Sequence, residues 1–150
     1  MKAPFLAFLG IGCSLCSAAD EPQVTPGSPE WRELFDPPFT EPKEISVKEP
    51  LRKELLDQLC PHIERKAKHA VLFQGTLRAF KNWTLFEGRT LDTNDKSVKL
   101  PPMGNDDTVA IWLRTQNGWR LVDFSGGHSD AFHVIWPEQY GVPRSLIRRQ

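Results

Sequence analysis

The hydrophobic pattern of this chain predicts an α+β fold: an amphipathic N-terminal helix packed on a four-stranded antiparallel meander, with an irregular closing segment. Three observations predict it. Leu51, Leu55, Leu56, Leu59, Ile63 and Ala67 trace one helical stripe. From Ala70 onward the repeat shortens to two, with β-branched and aromatic residues in short runs. Lys81-Asn82 and Asn117-Gly118 separate pairs of such runs, where two-residue hairpin turns belong.

The chain opens with Met1-Lys2, an apolar run from Ala3 to Cys16, and Ser17-Ala18-Ala19. This is the layout of a secretory signal peptide over residues 1–19, with small residues at the cleavage site. The expected protein is exported, periplasmic or secreted, and starts near Asp20. A span needs about 20 apolar residues, and this run is shorter and interrupted by Pro4, Gly10 and Gly12, so no stable membrane insertion is expected after cleavage. Lipid attachment is poorly served, because Gly10 stands where a branched apolar residue should precede Cys13, and Leu15 is too large before Cys16.

Residues 20–50 read as a proline-rich arm or linker. Pro22, Pro26, Pro29, Pro37, Pro38, Pro42 and Pro50 fix φ and remove backbone donors, which excludes a long helix or a central strand. Within the arm, Ser28 and Pro29 can start a short helical turn that carries Trp31, Leu34 and Phe35.

Residues 51–143 are the expected α+β domain. Its helix covers 51–69, with Arg52, Lys53, Glu54, Asp57, Glu64, Arg65 and Lys68 opposite the apolar stripe. Pro61 should kink or divide it. The first strand carries Val71, Phe73, Leu77 and Ala79; Trp83–Thr90 forms the second, Thr108–Thr115 the third and Trp119–Ser125 the fourth. On the third and fourth strands, Ala110, Trp112, Trp119 and Leu121 make one face nearly as apolar as the other. One helix cannot hide both, so the closing segment, the arm, a partner or a ligand is expected to lie on the Ala110–Trp112 face. In the closing segment, Gly126-Gly127 releases the chain from the sheet, Phe132, Val134, Ile135 and Trp136 require burial, and Pro137 can open a helical turn stopped at Gly141. Residues 144–150 read as a basic, frayed tail.

Cleavage removes Lys2, Cys13 and Cys16, leaving 18 basic against 19 acidic residues and Cys60 as the lone cysteine. That charge balance argues against a nucleic-acid partner. It also leaves no intramolecular disulfide. Cys60 falls on the helix stripe and is expected to be buried, with His62 the sole neighbour that could activate it.

The densest polar cluster is Asp123, Ser125, His128, Ser129, Asp130 and His133. Nucleophilic catalysis is poorly served by near neighbours in sequence, and no Gly-x-Ser-x-Gly elbow is present. A divalent metal could use His128, Asp130 and His133, though their spacing matches no established ligand pattern and the plainer reading makes Asp130 a turn cap. Gly126-Gly127 fits an anion nest or an ordinary turn. Trp83, Trp112 and Trp119 could form a ligand-binding platform edged by Arg78 and Arg114, with core packing as the plainer use. Asn82-Trp83-Thr84 fits the glycosylation acceptor pattern.

Several stretches together resemble a family of small exported bacterial proteins of unassigned function. They are Leu59-Cys60-Pro61 in the helix, Leu77-Arg78, the hairpin Gly118-Trp119-Arg120-Leu121-Val122-Asp123, and Ser129-Asp130 followed by Trp136-Pro137-Glu138-Gln139-Tyr140-Gly141-Val142-Pro143. The resemblance implies an exported bacterial α+β domain and brings no activity or cofactor with it. The expected function is a non-enzymatic accessory or binding domain that recognises a protein, peptide or glycan at its apolar sheet face or closing segment, without a cofactor. The alternative is a metal-binding protein or metal-dependent enzyme using the Asp/His cluster.

Overall fold

The computed structural model describes residues 37–127 and 131–147. The signal-peptide reading and the helical turn around Trp31 lie outside them. Five strands, β1 (Phe39–Glu44), β2 (Leu72–Lys81), β3 (Trp83–Leu91), β4 (Asp107–Thr115) and β5 (Gly118–Gly126), form one antiparallel sheet in sequence order. Helix α1 (Pro50–Ala67) joins β1 to β2, and α2 (Phe132–Tyr140) and α3 (Arg144–Ile147) follow β5. Among the described residues, no helix is long and apolar enough to cross a membrane.

The class is mixed α+β, but the sheet has five strands rather than four, and the long helix comes second rather than first. The extra strand is drawn from the proline-rich arm. β1 sits at the sheet margin, the position in a sheet that tolerates a residue without an N–H such as Pro42, and its pairing with β2 shifts register between Phe39 and Lys43. Ile45, directly after it, is 1% exposed and donates its N–H to the Leu77 carbonyl at 2.7 Å. The arm's last residues therefore belong to the folded body. So does the start of the basic tail, because Leu146 and Ile147 on α3 are buried.

Pro50 opens α1 with the φ a first turn needs, and the Glu49 carboxylate accepts the Ser46 N–H at 2.9 Å just before it. Arg65 and Lys66 oppose the dipole in the last turn, and Lys68 closes the helix in the left-handed region with φ 65°. Leu55, Leu59 and Ile63 are buried. Pro61 does not divide the helix: it is exposed, where water can take the carbonyl it leaves unbonded.

The sheet is covered on both faces. Against α1 lie Leu77 and Ala79 of β2, Phe86 of β3, Ala110 and Trp112 of β4, and Leu121 and Phe124 of β5. Against the closing segment lie Leu85, Val109 and Ile111, packed on Phe132, Trp136, Val142, Leu146 and Ile147. A bulge on β5 makes this partition possible. Ile111 pairs with Asp123 while Trp112 pairs with Leu121, so the extra residue, Val122, resets the alternation and puts Leu121 and Phe124 on one face.

Two further contacts fix α1. Gln58 donates from Nε2 to the Trp119 carbonyl at 2.9 Å and accepts the Leu121 N–H at 3.1 Å. Arg52 donates to the Gly75 carbonyl at 2.7 Å, with its guanidinium 5.9 Å from the centre of the Phe86 ring. Gly75 pairs with Gly88 across β2 and β3, and the backbones pass so closely that a Cβ on Gly75 would lie 2.3 Å from the Glu87 carbonyl oxygen.

Candidate functional site

The α2–α3 cover spans only part of its face. Where it stops, the exposed sheet floor opens into a cleft of about 790 Å³. Strand alternation decides what points into it. Gln74, Thr76 and Arg78 come from β2, Glu87 and Arg89 from β3, and Asp107 from β4. The end of β1, Pro42 to Glu44, makes one wall, and Ser145 and Leu146 of α3 make another.

The floor is held by ion pairs between adjacent strands. Arg78 pairs with Glu87. Arg89 donates from Nε to Asp106 Oδ2 at 2.9 Å, and the same oxygen accepts the Ser97 hydroxyl at 2.5 Å. The Ser97 hydrogen bond, with Arg89 beside it, holds the Asp106 carboxyl below its ordinary value against the opposing effect of burial. This bond aims the guanidinium of Arg89, whose side chain remains 56% exposed. Asp107 lies directly across from Arg89 in the β3–β4 register and is exposed. Lys43 on the β1 wall is tied to Glu49 at 3.1 Å. Glu44 acts electrostatically on Arg52, opposing the downward pull of burial on that guanidinium. Neither Glu44 nor Asp107 makes an ion pair among the described residues.

The described lining contains no histidine, cysteine or aromatic ring. Its hydroxyls are Thr76 and Ser145, without an imidazole or thiol beside them. Such a surface can bind and orient a polar ligand through hydrogen bonds and charge. Among the described lining residues there is neither a nucleophile beside a base nor an aromatic stacking plane.

The sheet register divides the tryptophan platform expected from the sequence. Trp112 is fully buried beneath α1, and Trp119 is half-buried on that same face, its ring centre 6.3 Å from that of Phe39. Trp83 packs on the opposite face. Arg78 points into the cleft while Arg114, the register partner of Trp119, belongs to the α1 side. Of these five residues only Arg78 reaches the cleft. The cover is also distributed the other way round: α1 takes the Ala110–Trp112 face and the closing segment takes the Val109–Ile111 face.

Of the proposed metal ligands, His128 and Asp130 lie outside the described residues. His133 is half-buried and stacks on Phe132 with ring centres 4.0 Å apart. Asp123, from the same polar cluster, docks α2: its Oδ2 accepts the Trp136 indole N–H and the Tyr140 hydroxyl, each at 3.0 Å. Cys60 is half-buried rather than buried, with its thiol pushed up by burial and by a hydrogen bond with Glu64, which disfavours the thiolate. His62 packs on Phe124 at 4.8 Å.

Glu87, Arg89 and Asp107 were missed as site residues in the sequence because they come together only once β2, β3 and β4 are in register. The one sequence signal was the run of charged residues at strand positions that would otherwise be apolar. No family model, curated protein or solved structure matches this chain.

Proposed function

We propose that this chain is an exported, non-enzymatic binding domain whose cleft on the α2–α3 face recognises a peptide, or an extended segment of a protein, rather than a glycan. The signal-peptide layout of residues 1–19 and the resemblance to small exported bacterial proteins support the exported setting. One observation carries the choice of ligand: the cleft offers hydrogen-bonding and charged groups on a sheet floor, without an aromatic ring in its described lining on which a sugar could stack. Gln74 and Thr76 can reach peptide N–H and C=O groups, and Arg89 and Asp107 can reach side chains of either sign.

The test is amide chemical-shift mapping of the full chain with two probes, a mixed-sequence pool of blocked octapeptides and a pool of neutral oligosaccharides. Shifts at Gln74, Thr76 and Arg89 with the peptides alone are expected. Shifts confined to the oligosaccharides, or absent with both pools, would overturn the reading.

A further inference from the structure

Charge in and around the cleft is unevenly satisfied. Each basic side chain in the lining already has a carboxylate: Arg78 has Glu87, Arg89 has Asp106, and Lys43 has Glu49. The acids are not used up in the same way. Asp107 faces Arg89 in the register, but the guanidinium bonds to Asp106. Glu44 has only the electrostatic influence of Arg52, whose guanidinium hydrogen-bonds to the Gly75 carbonyl. Both carboxylates are exposed, and they stand at opposite ends of the cleft.

Their separation follows from the register. Glu44 pairs with Arg78, Arg78 with Leu85 and Leu85 with Ile111, so Glu44 lies three strand spacings from β4, in the row of Ile111. Asp107 is four residues along β4 from that row. With strands about 4.8 Å apart and a rise of about 3.4 Å per residue, the diagonal is about 20 Å. An extended peptide covers that distance in about six residues.

We infer that the cleft takes an extended basic peptide, with one Lys or Arg side chain at Asp107 and a second, about six residues away, at Glu44. The inference rests on the peptide-binding reading above and adds the charge and spacing of the ligand. Cations are favoured because the two carboxylates left over can be neutralised without breaking any ion pair of the floor, whereas an acidic peptide would have to compete with Glu87 or Asp106 for a guanidinium. Such contacts at an open surface set selectivity and salt dependence more than raw affinity.

The experiment uses the full chain and three blocked octapeptide libraries, randomised except at positions 1 and 7, six residues apart and on one face of an extended chain, which are fixed as Lys, Gln or Glu. Binding is followed by amide shifts and by titration at low and at physiological salt. The Lys library is expected to bind tightest and to weaken with salt, and each of Asp107→Asn and Glu44→Gln should cost it about three- to fivefold, the size of an exposed ion pair. Both positions are exposed, and an unchanged circular dichroism spectrum and melt show that the variants fold. Equal binding of the Gln library, tighter binding of the Glu library, or indifference to both substitutions would overturn the inference and leave the peptide-binding reading in place. Failure of all three libraries to bind would overturn both.

Discussion

Trp136 donates its indole N–H to Asp123 at 3.0 Å, tying the first helix of the closing segment to the last strand of the sheet. The same carboxylate oxygen takes the Tyr140 hydroxyl one helical turn later, while Oδ1 accepts the Phe124 N–H at 2.7 Å. One half-buried side chain thus holds α2 against β5. The apolar contacts of Phe132 and Trp136 with Leu85, Val109 and Ile111 lie beside it.

Asp123→Ala should therefore destabilise the fold by about 2–3 kcal/mol, since it removes hydrogen bonds to a charged acceptor and leaves the buried Trp136 N–H without one. Urea titration followed by tryptophan fluorescence measures it. A midpoint shift equivalent to less than about 0.5 kcal/mol, the size of an ordinary surface substitution, would show that apolar contacts alone hold α2.

Burial first, and then the Asp123 carboxylate, raise the Tyr140 hydroxyl above its ordinary value. A phenol raised in the folded state contributes stability that is fully present below the unfolded pKa, about 10, and is lost as pH rises through the folded value. The wild type should lose stability above about pH 10, and Tyr140→Phe should lose less over the same interval while starting from a lower level at neutral pH. Urea midpoints between neutral pH and pH 11 test this. Parallel curves for the two proteins would remove Tyr140 as the cause.

The long helix and both hairpins were legible in the sequence because their signals are local. The Leu55–Leu59–Ile63 stripe needs only its own spacing, and Asn117-Gly118 accommodates the positive φ, 99° at Gly118, that its turn adopts. β1 was not legible, since Pro42 and the exposed side chains around it resemble linker and only a marginal position in a sheet tolerates them. Nor was the bulge at Val122, which depends on what β4 presents opposite. The candidate site was harder still. Trp83 and Trp112 look alike as strand tryptophans, and only the pairing of Trp83 with Leu113 and of Thr84 with Trp112 sends them to opposite faces. Arg89 and Asp107 become neighbours by the same long-range pairing.

The Gly75–Gly88 crossing predicts a backbone effect at a position with little side-chain consequence. In Gly88→Ala the new Cβ would lie 2.3 Å from the Gln74 carbonyl oxygen and 2.6 Å from the Phe86 ring. Backbone cannot yield as a flexible side chain does, so the strands must separate, weakening the ladder near the point where Arg52 reaches the Gly75 carbonyl. A loss of about 2–4 kcal/mol is expected, as for overpacking of a tight site, with Thr76→Ala as a mild control. A melt unchanged from wild type would mean that the strands relax there without cost.

Gln58 has a consequence for how copies of this protein meet. Its amide satisfies a carbonyl and an N–H on the outer side of β5, the kind of groups through which a neighbouring strand would attach. At the far margin, Pro42 has no N–H to offer a newcomer. Crowded molecules are thereby discouraged from stitching their sheets into a continuous ribbon, the hazard that an open sheet margin carries for any protein that must stay dispersed.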